Sequence, residues 1–367
     1  MNNKIFNIIS LCFLLTFASS LSAGDFDLRG QLSANGFGSY SSGKWNKYFD
    51  LRYMPQVTFT EYLTDTWTFD SEISLNTYFN TNFESNEQNV KLYRLKLRFA
   101  TPQTETRIGL QKINFGPAYI LRSLRWFDKL DPRDPLGLTD GVYALRFKYS
   151  FLNNSSFTFW TLYGNNDTKG YELFPTAKKH PEIGARYLFP FLDGETGLTV
   201  HTRIANLSSL EYRETKFAID GRWDVEIGLW FEVVVQKNEI EILPYKWQSM
   251  TTLGTDYTFE IGNGLHVLAE HMRTTASDKF YSNDMEINLS ALMFSYPQSL
   301  VDNFTGLLYY SWESEKLYKY IQWQRMYDNF SLSLSLFHYP EGELATLNNA
   351  NIPNQGYGFQ LTFIYNH

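Results

Sequence analysis

Cysteine is almost absent from this sequence, since the one cysteine, Cys12, lies in an apolar run near the N-terminus. That run, residues 5–17, follows a basic residue and precedes the small residue Ala23, which is the arrangement of a secretory signal peptide. It is shorter than the ~20 residues that a membrane-spanning helix needs. We therefore predict that residues 1–23 are a cleavable export signal. Residues 24–367 then form one domain without thiols, disulfides or cysteine metal sites.

Long apolar runs are missing after this segment, which excludes transmembrane helices, and the mean hydropathy is −0.33. Basic residues are outnumbered, with 32 Lys and Arg against 39 Asp and Glu, so that the formal net charge is −7. This balance argues against nucleic acid as a partner. Aromatic residues nevertheless make up 17% of the chain. A polar, aromatic-rich chain of this kind is typical of a secreted all-β protein or of a β-barrel whose strands show one face to lipid.

Catalytic and metal-binding motifs are also lacking. Residues 38–44, GSYSSGK, have the spacing of a phosphate-binding loop, but Trp45 stands where that loop requires Ser or Thr. No G-x-S-x-G or H-E-x-x-H motif occurs, and His271 near Thr274 is the one weak sign of a lipid-facing hydrolase. His201 has no second metal ligand beside it in sequence. We predict that the protein is not an enzyme and holds no cofactor or metal.

The apolar residues that are present recur with a period of two. In residues 329–337, NFSLSLSLF, serine and apolar residues alternate, and residues 66–79 show the same pattern. This period is typical of β-strands with two different faces, and no helix has it. About eighteen such stretches, with sixteen as the alternative, lie between residues 26 and 366. The sequence therefore predicts an all-β domain.

The connections between these stretches fall into two classes that alternate along the chain. Short turns, such as residues 101–104 and 262–264, follow the even-numbered stretches. Longer polar loops, including residues 80–88, 116–140 and 165–181, follow most of the odd-numbered ones. An even strand number with short turns at one end and long loops at the other is typical of outer-membrane barrels. A secreted β-sandwich or jelly roll is the alternative.

The signal segment, the alternating connections, the aromatic strand ends and the final stretch GYGFQLTFIYNH together resemble Gram-negative outer-membrane porins. The resemblance implies a transmembrane, antiparallel, up-and-down β-barrel with short periplasmic turns and long outer loops. It also implies contact with outer-membrane lipid and lipopolysaccharide, and insertion by the barrel assembly machinery. In porins the last strand ends on an aromatic residue that this machinery reads. Here the alternation is kept from Tyr357 to Tyr365, but the terminal residue is His367.

If the apolar face of each strand meets lipid, the polar face lines the lumen, and its charges can be assigned by parity. A basic wall is predicted on the fourth to ninth strands, and an acidic wall on the eleventh to thirteenth, roughly opposite in a closed barrel. One interpretation is that these charges are simply solvated or paired with neighbouring strands; the other is that the basic wall attracts anionic solutes. The basic residues are Arg94, Lys96, Arg98, Arg107, Arg146, Lys148, Arg186 and Arg203, and the acidic residues are Glu226, Glu232, Asp256, Glu260 and Glu270.

Residues 116–140 interrupt the alternation and form the longest predicted connection. Loops beyond ~12–15 residues are usually functional or disordered, and this one is too apolar to be disordered. In porins the loop after the fifth strand commonly folds inward and narrows the channel, so the resemblance implies the same here; an outer lid is the alternative. The candidate constriction residues are Arg122, Arg125, Trp126, Phe127, Asp128, Lys129, Asp131, Arg133 and Asp134, with Trp126, Phe127 and Leu130 as wall anchors.

The function that these observations favour is a passive diffusion channel for small hydrophilic solutes, among which anionic solutes are one option. The alternatives are a structural or surface-binding barrel whose lumen is blocked by its loops, and an outer-membrane hydrolase. The sequence identifies neither the solute nor the oligomeric state.

Overall fold

The computed structural model describes residues 24–81, 86–208, 210–240, 242, 244–280, 282–340 and 356–367, so that the predicted export signal lies outside the described residues. Eighteen strands are present in the described part of the chain. They are β1 (Asp25–Ser41), β2 (Lys44–Tyr62), β3 (Thr68–Thr81), β4 (Asn86–Ala100), β5 (Thr104–Gln111), β6 (Val142–Ser150), β7 (Ser156–Leu162), β8 (Glu182–Phe191), β9 (Gly194–Leu207), β10 (Leu210–Asp224), β11 (Gly228–Asn238), β12 (Trp247–Phe259), β13 (Leu265–Ser277), β14 (Met285–Pro297), β15 (Asp302–Ser311), β16 (Lys316–Met326), β17 (Phe330–Tyr339) and β18 (Gly356–Asn366).

The strands form one closed sheet. Each strand pairs antiparallel with its neighbours in sequence, and β1 pairs with both β2 and β18. The predicted eighteen-stranded up-and-down barrel is therefore confirmed. In the described part of the chain no helix has the length and apolarity needed to span a bilayer.

The alternation of side chains explains which face of each strand points outward. On β17, Leu334 and Leu336 are 39% and 51% exposed, whereas Ser333 and Ser335, which alternate with them, are buried. Successive side chains of a strand point to opposite faces. A closed barrel therefore presents the leucines on its outside and the serines on its inside.

The two ends of the barrel differ in their connections. We call the end that carries residues 63–67, 101–103 and 225–227 the turn end, and the end that carries residues 112–141 and 163–181 the loop end. The predicted sorting has exceptions. At the loop end, β1 and β2 are joined by a two-residue hairpin in which Gly43 has a φ of +79°, a conformation that glycine adopts without strain.

The interior of the barrel contains an apolar core. One buried cluster joins inward residues of β1, β11 and β13–β17, such as Met272 and Tyr309, to Ile120 and Leu121. A second joins inward residues of β6, β7 and β10–β12 to Leu124 and other residues of the same connection. The parity rule predicts polar inward faces. The inward faces are apolar here because these strands pack on a folded segment instead of facing water.

Candidate functional site

Residues 112–141, which we call the crossing segment, fold into the barrel between β5 and β6. Leu121, Leu124 and Trp126 are each 2% exposed or less. The segment begins earlier than expected, because β5 ends at Gln111 and Ile113 already lies in the second apolar cluster. Irregular backbone at membrane depth is tolerated where it is buried in protein or lines a cavity.

Glu270, on the inward face of β13, holds one turn of the crossing segment. Its carboxylate accepts hydrogen bonds from the backbone N–H groups of Tyr119, Ile120 and Leu121, with N–O distances of 2.7 Å to Tyr119 and 2.9 Å to Ile120. It also accepts one from Trp230 Nε1 at 3.0 Å. A carboxylate with four donors is a strong acceptor site, because hydrogen bonds to charged groups exceed neutral ones in strength.

Glu232, on β11, holds the backbone on both sides of this turn in the same way. Its two oxygens accept from the backbone N–H groups of Ala118 at 3.0 Å and Leu124 at 2.8 Å. Gly116 has a φ of +85°, and a Cβ there would lie 2.1 Å from Glu232 Oε1. The close approach of backbone and carboxylate therefore requires glycine.

Aromatic side chains fix the crossing segment against the wall formed by β7 and β9. Phe127 packs on Trp160 and His201, with ring centroids 5.9 Å and 5.1 Å apart, and Trp126 lies 6.0 Å from His201. His201 is buried, with Nε2 3.2 Å from Glu182 and Nδ1 3.3 Å from Trp160 Nε1. His201 is thus a packing residue, and no group of three metal-binding side chains occurs among the described residues.

Four charged residues of the crossing segment form two pairs with one another. Asp128 accepts from Arg122 at 2.6 Å and 3.0 Å, and Asp131 accepts from Arg133 at 2.7 Å and 3.0 Å. All four side chains are buried. The sequence predicted that these four charges border a constriction; they instead pair inside the segment and stabilise its own fold.

The other predicted constriction charges have different surroundings. Arg125 lies over the ring of Tyr171 at 4.7 Å, and Asp134 accepts from the backbone N–H groups of Leu136 and Leu138. Lys129 is exposed, with Nζ 3.4 Å from Thr168 Oγ1. Of the charged residues predicted for a constriction, Lys129 thus has the most access to solvent.

The crossing segment reaches several sides of the barrel. Tyr320 on β16 donates to the carbonyl of Arg133 at 3.1 Å, and Arg133 lies over the ring of Tyr339 on β17. Farther along, Asp134 lines a cavity of 20 Å³ with residues of β1, β2 and β18. Arg94 on β4 then donates to the carbonyl of Thr139 at 2.9 Å. The segment therefore runs from β5 across the lumen to β16 and β17 and returns to β6 past β1, β2 and β4.

A second connection, residues 163–181, also packs inside, and sequence reasoning missed this. Lys169 Nζ lies 2.8 Å from Glu182 and 3.1 Å from Glu172, and Arg203 lies 3.3 Å from Glu172. All four side chains are almost completely buried. The length of this loop and its aromatic residues are the signal that could have indicated it.

Gly170 sets how closely the two inward connections approach. It has a φ of +45°, and a Cβ there would lie 1.9 Å from the carbonyl oxygen of Arg125. We expect Gly170→Ala to destabilise the interior by ~1–3 kcal/mol, as overpacking does, and to make the crossing segment more sensitive to protease. Gly164→Ala is the matched control, because Gly164 also has a positive φ but open space around it. Equal protease sensitivity of both variants would contradict the contact.

Part of the predicted basic wall forms a charge ladder on the inward faces of β3–β6 near the turn end. Glu105 accepts from Arg98 at 2.8 Å, from Arg107 at 2.9 Å and from Arg146 at 2.8 Å. These side chains are 16–32% exposed. The complete charge ladder is Lys96, Arg98, Arg107, Arg146 and Lys148 with Asp70, Glu72 and Glu105.

The remaining basic wall residues are not available to solutes. Arg186 binds Asp220 through two hydrogen bonds of 2.6 Å and 2.7 Å, and Arg203 binds Glu214 at 2.8 Å and 2.9 Å. Both arginines are buried, and Arg94 is buried against Thr139. Their charges are neutralised or screened inside the protein.

The predicted acidic wall is wrong as a surface facing water. Glu226 and Glu260 are exposed in the turns that follow β10 and β12, since β11 begins only at Gly228 and β12 ends at Phe259. Asp256 is half-buried, 3.3 Å from His266 Nε2. Glu232 and Glu270 are buried under the crossing segment. The five residues therefore do not create a field across an open lumen.

A cleft of 780 Å³ opens at the loop end between the two inward connections. Its lining includes Lys91, Phe127, Lys129, Asp140 and Lys169. Lys91 and Asp140 are 3.0 Å apart. The cleft lies at the loop end, whereas the charge ladder lies near the turn end.

A closed antiparallel sheet of eighteen strands, with a long connection after β5 folded inside, can be compared with known structures. The chain has the fold of outer-membrane porins. It is similar to the anion-selective porin from Comamonas acidovorans, with 10% identity, a TM-score of 0.56, and coverage of 94% of this chain and 100% of that one. OccAB1 of Acinetobacter baumannii has 8% identity and a TM-score of 0.58 over 94% and 96% of the two chains.

The outer membrane channel DcaP of Acinetobacter baumannii is also similar, with 12% identity and a TM-score of 0.53 over 95% and 99% of the two chains. No family model and no curated protein matches the sequence. At these identities the comparisons establish the porin fold and leave the solute to be inferred from the residues of this chain.

Proposed function

We propose that the protein is an outer-membrane diffusion channel for small hydrophilic solutes, narrowed by the crossing segment. The porin fold supports this function, and so does the half-exposed charge ladder, because a water-filled lumen is where a lipid-facing barrel can place charges at low cost. The proposal includes export through residues 1–23, insertion by the barrel assembly machinery, and an outer surface in contact with lipid and lipopolysaccharide.

The charge ladder favours anionic solutes. It holds five cationic side chains and three carboxylates. In the described structure the Nε atoms of Arg107 and Arg146 have no hydrogen-bond partner. A charged wall of one net sign raises the local concentration of solutes of the other sign, so that anions enter this part of the lumen more readily than cations.

Removing two arginines of the ladder tests this preference. We expect Arg107→Gln with Arg146→Gln to leave three cations against three carboxylates and to shift the reversal potential in a salt gradient toward cations. The effect should shrink at high salt, because screening shortens the reach of the charges. Arg29→Gln is the control, since Arg29 lies near the beginning of β1, at the turn end, with its side chain 74% exposed. An unchanged reversal potential would show that the charge ladder does not lie on the conduction path.

A barrel with a blocked lumen is the second candidate function. The observation that favours it is the reach of the crossing segment, which contacts β7, β11, β13 and β16. Such a barrel would serve a structural or surface-binding role. Swelling of liposomes that contain the protein separates the two functions, since a blocked barrel does not pass small sugars.

A further inference from the structure

The outward face of β12–β16 carries a groove in the surface that meets lipid. The groove has a volume of 640 Å³, and its lining is mostly apolar. Ala269 and Ser290 form part of its floor, where their small side chains leave the sheet uncovered, and Leu253, Leu292, Leu308 and Leu317 form its sides. We call it the outer groove. Its apolar sides match a hydrocarbon chain and not a polar solute.

Three polar side chains lie at the outer groove. Ser290 Oγ is 2.9 Å from His271 Nδ1 and accepts from Trp312 Nε1 at 3.0 Å. The serine is thereby satisfied, but His271 Nε2 has no hydrogen-bond partner among the described residues and faces outward. A polar group facing hydrocarbon is unfavourable without a partner. His271 Nε2 is therefore placed to bind a polar group of the molecule that occupies the groove.

Two cationic side chains flank the outer groove on the same face. Arg273 is exposed on β13, 2.7 Å from Glu286. Lys319 is exposed on β16 next to Leu308 and has no ion-pair partner among the described residues. Positive charge on a lipid-facing surface is tolerated near the interface and disfavoured at the membrane centre.

The register places these two cations at nearly the same height. Lys319 lies on the row of paired residues that runs through Leu308 and Leu292 to Ala269, four residues before Arg273. Four residues span ~13 Å along a strand, and three strands span ~14 Å across the sheet. A row of paired residues comes closer to the loop end as it passes from a lower-numbered strand to the next. One such row joins the fifth residue of β14 to the last residue of β15, which lies at the loop end. The strands of such a barrel are tilted by ~35–45° from the barrel axis. At this tilt the rise along β13 from Ala269 to Arg273 nearly equals the rise along the row from Ala269 to Lys319.

We propose that the outer groove binds lipopolysaccharide of the outer leaflet, with one acyl chain in the groove and the phosphorylated sugars against Arg273 and Lys319. His271 Nε2 then contacts the acyl linkage between them. Basic pockets at this depth recognise lipid head groups, and aromatic residues such as Trp312 are typical of the interface. A second copy of this chain fits less well, because it would cover the charge of Lys319 without a described partner. The proposal rests on the outer-membrane location and is independent of conduction.

The test measures lipid binding to the full chain, purified folded in detergent and stripped of lipid. Native mass spectrometry with added bisphosphorylated lipopolysaccharide should show one tightly bound molecule. Arg273→Ala with Lys319→Ala should weaken its binding roughly tenfold to thirtyfold, as expected for two cations near an anionic lipid surface. Arg325→Ala is the control, because Arg325 also faces outward and pairs with a carboxylate, Asp302, at 3.2 Å, but lies at the turn end. Heat-dependent gel migration verifies that each variant is folded.

Four outcomes would overturn the proposal. Equal weakening by the Arg325 variant would show general electrostatic attraction, and equal binding of phosphatidylglycerol would show that the site does not select lipopolysaccharide. Protein dimers that exclude lipid from the groove would assign the face to a second copy. Release of free fatty acid from the bound lipid would make the His271 and Ser290 pair catalytic, and a pure binding site would then be the wrong assignment.

Discussion

Deleting Leu121 to Leu136 should raise the single-channel conductance severalfold. These residues make up the central part of the crossing segment, which occupies the lumen between β7, β13 and β16. The strand ladder does not depend on them, since the antiparallel pairs close the barrel through β1 and β18. Currents through the variant in planar bilayers, compared with those of the unchanged protein, measure the effect directly.

The control for this deletion is an insertion of two glycines in residues 298–301, a turn at the opposite end of the barrel. It tests whether any change of backbone length alters the pore. An increase in conductance that is confined to the deletion assigns the narrowing to the crossing segment. If the unchanged protein already conducts and the deletion variant has the same conductance, solutes pass beside the segment. Closed barrels before and after the deletion would instead favour the structural role.

The sequence predicts the barrel well because the lipid imposes a simple pattern on it. Each strand must present apolar residues to the membrane at every second position, so that Leu334 and Leu336 can be assigned outward without knowledge of any tertiary contact. The same rule misplaces the end of β5. Alternation continues through Ile113 and Phe115, but these residues belong to the crossing segment, where one side packs on the wall.

The interior is less predictable, because parity shows that a side chain points inward but not what it meets. Glu232 and Glu270 are correctly assigned to the inward face, yet the backbone N–H groups that bind them lie 108 to 151 residues away in sequence. Arg186 and Arg203 differ from Arg107 in their neighbours, since each of the first two pairs with a buried carboxylate on β10. Such pairings follow from register, which the pattern of a single strand does not contain.

Replacing the carboxylate that holds the crossing segment should release it without opening the barrel wall. In Glu270→Ala the backbone N–H groups of Tyr119, Ile120 and Leu121 and the indole N–H of Trp230 lose their acceptor. A buried donor left without a partner costs ~1–3 kcal/mol, so that the bound position of the segment is weakened by roughly 3 kcal/mol or more. We expect fluctuating currents of higher mean conductance and cleavage by trypsin within the segment.

Two variants separate this effect from a general loss of stability. Glu270→Gln keeps one acceptor oxygen and should give an intermediate result. Glu286→Ala removes a carboxylate that is exposed on the outward face and bound to Arg273, and should leave currents and trypsin sensitivity unchanged. Because the pairing of β12, β13 and β14 involves backbone groups, the temperature at which each barrel unfolds should change little. Quiet currents and a trypsin-resistant segment in Glu270→Ala would show that the aromatic contacts of Trp126 and Phe127 hold the segment without the carboxylate.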